Sequence, residues 1–487
     1  KSDEDPLRDD AVLSLRERTE EAMSKLLLDT RRNRVIFEDV NTFDAECETG
    51  DNEVNNMDEL FKHSSISNNA SKVSIAVDAA VIDKLHHLRL VLSTFHWTLY
   101  LLAEQRKDYN LAWFHMSQMR FLERFRLSQS TVYNSTSNVN KVAFIKTHIT
   151  PDYWPRKKSQ WIGLSEERLP VFIVGFFRSG STLLESLLSM HPQIWGMGES
   201  SVLTYYILQM QTELSALTSI SDSSLYLQQM SSIMKKFGKR IIRAMKDRYQ
   251  QHHRGLSTMH DLSLESNYSI DKPANVTRIV DKMLLNYLNI PFIHLMFPNA
   301  IVLHMVRDPL DTLLSCMKNR FGDHSAYTLE FRTLVAEYVA YLEMVGHMRK
   351  ALPRITFPTG TRTAMIDIRY EELVADPTSV MRRVFSSLSV SSESVENIVE
   401  SFHLQDRLVR TASFLQVKQP IYLKSIGGWR KYESQFQQTL IPELRQSLLR
   451  LSALGYLPFT RDEPGSPRMN WELSQSFNYT EMIDKFT

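Results

Sequence analysis

Between Pro170 and Leu388 short apolar runs alternate with stretches of helical periodicity, and few folds accept that order. "PVFIVG" reads as a buried strand followed by a helix from Thr182 to Met190. "TRIVDK" precedes a helix "LNIPFIHLMF", and "NAIVLHMV" precedes "PLDTLLSCMKNRF". "TAMIDIRY" precedes "ADPTSVMRRVFSSL", where Asp376 is placed as N-cap and Pro377 as first helical residue. Strands alternating with helices imply an α/β fold: a parallel sheet covered by helices on both faces. Ligands of such sheets bind beyond the carboxyl ends of the strands.

The polar residues with chemical potential cluster at those ends. Gly175-Phe-Phe-Arg-Ser-Gly180-Ser-Thr has the glycine spacing of a phosphate-binding loop, between a strand and a helix. Such a loop curls backbone N–H groups round an anion at a helix N-terminus. Ser181 stands where the lysine that grips a nucleoside triphosphate belongs, which argues against a magnesium-ATP kinase. The alternative without a ligand is a glycine-rich strand-to-helix turn. Arg307 ends another strand, and Ser315 follows eight residues later, about two helical turns on. An arginine fork and a hydroxyl there can grip a second anion; an Arg307 pairing with Asp308 or Asp311 is the competing reading.

Before the α/β region, residues 1–75 are polar and acid-rich, with one helical stretch inside them, "DAVLSLRERTEEAMSKLLLDTRR". Residues 76–150 read as a helical hairpin broken at "EQRKDYN", either a degenerate tetratricopeptide unit or a hairpin packed on the main domain. The main domain is expected over 168–460, with a C-terminal tail at 461–487.

Fifty-seven Lys and Arg against 56 Asp and Glu give a net charge of +1. That excludes a sequence-wide polyanion surface, hence extended nucleic acid as a partner, and leaves a local basic site open. Two cysteines, Cys47 and Cys316, allow one disulfide and no cysteine-rich metal site. Fifteen histidines form no metal-ligand spacing, so no metal is expected, and His191 and His304 read as structural. No run is long and apolar enough to span a bilayer, so membrane attachment would need a segment outside this chain. Sequons at Asn69, Asn134, Asn267, Asn275 and Asn478 tilt slightly toward a glycoprotein of the secretory route, with the cytoplasm as the alternative.

Two anion sites suit a nucleoside with phosphates at both ends. "FRSGSTLLESLLSMHPQIWGMGE", "HMVRDPLDTLLSC", "IRYEELVADP" and "RTASFLQVKQPIYLKSIGGWRKYE" resemble sulfotransferases that use 3'-phosphoadenosine 5'-phosphosulfate (PAPS). They are most similar to the domains that often follow tetratricopeptide repeats, a group related to tyrosylprotein sulfotransferases. The resemblance covers about residues 170–457. It implies that Arg178, Ser179, Gly180, Ser181 and Thr182 hold the 5'-phosphosulfate, and that Arg307 and Ser315 hold the 3'-phosphate. Tyr370 and Ser413 would line the nucleotide, and Lys424, Gly427 and Gly428 the loop over its 3' side. Glu199, 21 residues after Arg178, becomes the general base, and Lys282 the cation on the leaving phosphate. Both have structural alternatives: Glu199 capping the next helix, Lys282 pairing with Asp281.

The loop departs from the family's usual Pro-Arg-Ser-Gly-Thr-Thr at Phe177 and Ser181, and Leu284 replaces a proline. The turn after Glu199, "ESSVLTYYILQ", lacks the arginines of tyrosylprotein enzymes, and Met197 replaces one of their cysteines. The resemblance therefore leaves the acceptor open between protein tyrosine, a carbohydrate and a small hydroxyl compound. It implies no metal, and a homodimer is an open alternative for the assembly. The rival readings are a P-loop kinase and a non-catalytic helical-repeat interaction protein.

Overall fold

The computed structural model describes residues 79–456, apart from 128–134, 149–162, 165–166, 220–222, 254–275, 322, 353, 358–359 and 405–413. Ser413, Cys47, the asparagines of all five sequons, the first 75 residues and the C-terminal tail lie outside the described residues.

Strand β1 (Pro170–Gly175) opens the α/β part and leads into helix α4 (Ser181–Ser189). Three helices precede it: α1 (Ala79–Gln105), α2 (Tyr109–Leu127) and α3 (Ser135–His148). Then come β2 (Ile194–Gly196), α5 (Val202–Ser215), α6 (Ser223–His253) and β3 (Arg278–Asp281). Next are α7 (Ile290–Met296), β4 (Ile301–Val306), α8 (Pro309–Met317) and α9 (Phe331–Ala351). The hairpin β5 (Arg354–Phe357) and β6 (Gly360–Thr363) leads to β7 (Met365–Arg369). Helices α10 (Tyr370–Ala375) and α11 (Pro377–Leu388) follow directly.

The main sheet has the order β2-β3-β1-β4-β7, with every neighbouring pair parallel. In β1, Phe172 and Val174 belong to one core cluster and Val171 and Ile173 to another, as side chains alternating across a sheet covered on both faces must. The chain runs outward from β1 in one direction through β3 and β2, and in the other through β4 and β7. The topological switch therefore lies at the carboxyl end of β1, where such sheets form their ligand crevice.

Local chemistry sets the helix starts. The Asp376 carboxylate accepts from Ser379 N at 3.0 Å ahead of Pro377, and Asp308 accepts from Asp311 N at 2.9 Å ahead of Pro309. The break between α1 and α2 falls at 106–108, inside "EQRKDYN". Three differences from the sequence reading stand out. The 76–150 region contains a third helix, α3, beyond the hairpin. The main sheet has five strands, since β2 is too short at three residues to show an apolar period. The "LNIPFIHLMF" segment begins as a 3-10 turn, Leu284–Asn289, before becoming α.

Helices α1–α3 pack on the α/β part through ring contacts and ion pairs. Trp113 stacks on Phe331 with centroids 5.6 Å apart, and Lys146 pairs with Glu343 at 3.1 Å. Glu104 accepts from Lys318, at the end of α8, at 2.6 Å, and also from the Tyr432 hydroxyl.

Candidate active site

Three backbone features form the loop after β1. Arg178 adopts φ 67° and Gly180 φ 97°, both left-handed, and Ser179 N bonds Phe176 O at 3.3 Å. Gly180 then acts as N-cap of α4, whose first residues, Ser181 and Thr182, are buried. A Cβ on Gly180 would lie 2.4 Å from the Tyr370 ring, so only glycine fits the conformation and the space. The Ser179 hydroxyl is buried with no partner among the described residues, an orphan donor inside an anion-type loop.

Arg307, just beyond β4, donates to Arg178 O at 2.8 Å and to Ser425 O at 2.9 Å, and its guanidinium lies 4.6 Å over the Tyr370 ring. The Tyr370 hydroxyl meets Ser425 Oγ at 2.9 Å. Arg307 Nε is buried without a partner, and no carboxylate lies within ion-pair distance among the described residues. A half-buried guanidinium bonded only to neutral oxygens, with its Nε buried and unpartnered, is suited to take an anion. The competing Arg307–Asp308 or Arg307–Asp311 pairing is not formed. Asp311 instead accepts from Gly427 N at 2.6 Å and Trp429 N at 3.0 Å, fixing the 427–429 turn.

The two anion half-sites adjoin. Arg178 Nε donates to Ser315 Oγ at 3.0 Å, and its terminal nitrogen to Gln416 Oε1 at 2.8 Å. Burial, helped by Arg307, pulls the Arg178 guanidinium below its usual value. Lys424 is exposed and stacks over Tyr422 at 4.8 Å; Gly427 adopts φ 66°.

Lys282 follows β3, and Glu199 follows β2 after Gly198 bends the chain at φ 75°. Lys282 Nζ donates to Glu199 Oε1 at 2.6 Å and lies 3.9 Å from Glu185 Oε2. The lysine is wholly buried while Glu199 is 42% exposed, so the carboxylate faces outward and the cation inward. Neither structural alternative holds. The cap position of α5 is Ser201, and Asp281 meets Asn286 at 3.5 Å and not Lys282. Burial, with Glu185 nearby, pushes the Asp281 carboxyl up to about 8.

Sequence reasoning missed Glu185, Gln416 and Ser425, and it read Asp311 only as an ion-pair partner of Arg307. Glu185 was open to detection: it is the one charge in "STLLESLLS", at a position that helical spacing buries. It accepts from Gly198 N at 2.8 Å. The other three act across long sequence separations. His191 accepts from Gln193 N at Nδ1 and meets Ser391 O through Nε2, and His304 bridges Asp367 and Tyr341; both are built into the framework. Cys316 is buried and forms no disulfide, its thiol donates to Phe177 O at 3.5 Å, and burial pushes that thiol up to about 12. Among the described residues no His, Cys, Asp and Glu group is arranged to hold a metal, and no helix is long and apolar enough to cross a membrane.

A parallel α/β sheet with a glycine loop, two adjoining guanidiniums and a Lys–Glu pair at its carboxyl edge defines an anion-binding P-loop-like domain. Residues 170–394 match the model of the sulfotransferase family. A curated relative from Aquifex aeolicus (strain VF5), described as an uncharacterized protein, is 24% identical over 340 residues, covering 69% of this chain and 39% of the relative. The chain thus spans well under half of that relative's length. The sulfotransferase domain of the Synechococcus PCC 7002 olefin synthase aligns at 19% identity over 64% of this chain and 99% of its own, with a TM-score of 0.37. The sulfotransferase domain of the curacin biosynthetic pathway aligns at 15% identity over 58% and 98%, with a TM-score of 0.34. Scores this low carry no further argument.

Proposed function

We propose that the chain is a sulfotransferase that moves a sulfuryl group from PAPS to a hydroxyl acceptor. The observation that carries this reading is the Lys282–Glu199 contact, at the same sheet edge as the glycine loop, in a segment that matches the sulfotransferase family model.

The residues present fit the donor. The orphan Ser179 hydroxyl, the N-terminus of α4 and Arg178 would hold its 5' phosphate end. Arg307, with its orphan Nε, and Ser315 would hold the 3'-phosphate, Tyr370 would line the nucleotide, and the 427–428 turn fixed by Asp311 would cover it. When bound, PAPS supplies an activated sulfuryl group, which requires no metal. Glu199, exposed on the acceptor side, takes the proton from the acceptor hydroxyl at its carboxylate. Lys282, buried on the opposite side of that carboxylate, supplies positive charge toward the donor phosphate. The absent loop lysine is replaced by a lysine from another strand end.

Protein tyrosine is the first acceptor class to test, ahead of carbohydrate and small-molecule hydroxyls, and the secretory lumen is the compartment the sequons favour. The test is transfer of radiolabelled sulfate from PAPS into a secretory extract, comparing wild type with Glu199→Ala. Wild-type-only label that survives glycosidases and hydrolyses as tyrosine sulfate supports the tyrosine reading; label lost to glycosidases moves the acceptor to glycans. Neither labelling nor binding of the desulfated nucleotide overturns the sulfotransferase reading.

A further inference from the structure

Glu104 stands in the last turn of α1, well ahead of the segment 170–394 that matches the family model. A carboxylate there meets the negative end of the helix dipole, so helical preference does not account for it. What it holds does. A single oxygen, Oε1, accepts from Lys318 Nζ at 2.6 Å and also from the Tyr432 hydroxyl. Against the upward push of burial, Lys318 and that hydroxyl keep the Glu104 carboxyl below its ordinary value, so it is charged at neutral pH.

Both donors belong to segments that frame the proposed 3'-phosphate pocket. Lys318 is the C-cap of α8, three residues after Ser315, and Asn319 Nδ2 donates to Ser315 O at 2.6 Å. Tyr432 ends the short helical turn Gly428–Tyr432, whose start Asp311 of α8 fixes through Gly427 N and Trp429 N. The turn is therefore held at one end by α8 and at the other by α1. Three links close a ring: Asp311 to the turn, Tyr432 to Glu104, and Glu104 to Lys318 on the end of α8. The Tyr432 ring also packs on Tyr109 and Trp113 of α2, with centroids 5.5 and 5.9 Å apart. Such packing sets position less sharply than a charge-assisted hydrogen bond. The same helices grip the chain just past α8, where Arg320 donates to Glu123 of α2 and to Thr94 Oγ1 of α1 at 3.1 Å.

We infer that Glu104 is a positioning residue of the donor site. Through Lys318 and Tyr432 it holds the end of α8 and the 428–432 turn in the arrangement that receives the 3'-phosphate. The claim deepens the sulfuryl-transfer reading and rests on it for the identity of the ligand. It makes the helices ahead of the α/β part a working component of donor binding, where a repeat remnant would be only an attachment surface.

The test is calorimetric titration of the full chain with two nucleotides, 3'-phosphoadenosine 5'-phosphate and adenosine 5'-phosphate, which lacks the 3' group. Glu104→Gln should bind the first about ten-fold more weakly, as a pocket competent one-tenth of the time would. Its affinity for the second should match wild type, which a general loosening of the fold would not allow. Adding Tyr432→Phe to Glu104→Gln should cost little further affinity, because the two residues act as one unit. If Glu104→Gln fails to fold, Tyr432→Phe alone carries the comparison, since it removes one hydroxyl and keeps the ring contacts. Equal affinity of wild type and variant for the 3'-phosphorylated nucleotide overturns the positioning role and leaves the sulfotransferase reading standing. So does an equal loss for both nucleotides, or a fully additive loss in the double variant. Wild type that binds neither nucleotide removes the donor pocket, and the role assigned to Glu104 falls with it.

Discussion

Gly180→Ala separates two costs that the phosphate loop would impose on any side chain. The left-handed conformation at φ 97° costs an alanine about 1–2 kcal/mol. The new Cβ would also sit 2.4 Å from the Tyr370 ring. That ring is anchored by Ser425 at 2.9 Å and lies under Arg307, so it cannot retreat without disturbing the second anion site. Overpacking of this kind adds about 1–3 kcal/mol, for a total of about 2–5 kcal/mol. At roughly 2 °C per kcal/mol for a large domain, Tm should fall by about 4–10 °C. The control is Gly198→Ala, at φ 75° with nothing within 4 Å of a new Cβ. It pays the backbone cost alone, so its Tm should fall by roughly 2–4 °C. Calorimetry with the desulfated nucleotide should show lost affinity for Gly180→Ala and none for Gly198→Ala. Equal melting shifts for the two variants would refute the ring-contact reasoning.

Arg307→Ala removes a half-buried guanidinium that would bond the donor's 3'-phosphate, and charged hydrogen bonds are worth about 1.5–3 kcal/mol each. Desulfated-nucleotide binding should weaken by roughly 10- to 150-fold per bond lost, and unchanged affinity would place the nucleotide elsewhere. Asp281→Asn tests the buried carboxyl beside Lys282. Its folded value, about 8, is above the ordinary aspartate value, so the native state holds the proton where the unfolded chain releases it. Its contribution to stability is full below about pH 4 and is lost as pH rises to about 8. The variant should gain on wild type steadily from pH 5 to pH 8 in urea midpoint, and parallel curves would sink the assignment.

The α/β order, the strand ends and the glycine loop were legible because each leaves a local trace: apolar runs, Asp-Pro caps and a fixed glycine spacing. Glu199 and Lys282 are 83 residues apart, and no periodicity links them; a family resemblance paired their roles, and the geometry supplies the contact. Arg178 and Ser315 were read into separate half-sites, yet they touch, because β1 and β4 are adjacent strands and their following loops share one crevice. Asp311 looked like an ion-pair partner for Arg307 in sequence; only the fold shows two backbone N–H groups reaching it from the 427–429 turn.

Glu185 offers the sharpest test of how Glu199 is aimed. It is buried on α4, accepts from Gly198 N–H, and lies 3.9 Å from the Lys282 ammonium. Lys282 N in turn bonds Gly198 O at 3.1 Å, so the bend before the base is held from both sides. Glu185→Gln keeps an oxygen for Gly198 N–H and removes the charge, whereas Glu185→Ala removes both. Should the hydrogen bond do the positioning, the Gln variant retains kcat within a few-fold. The Ala variant leaves the half-buried Gly198 N–H without this acceptor, costs about 1–3 kcal/mol of stability and loses kcat with KM for the donor unchanged. A Gln variant as damaged as the Ala variant would reverse the assignment. Glu185 would then act through its charge on Lys282, and the pH profile of kcat should shift in the Gln variant. A position that both lines the phosphate-loop helix and steadies the base loop ties donor and acceptor sides together, so this pair of variants reads out the coupling and not a local contact alone.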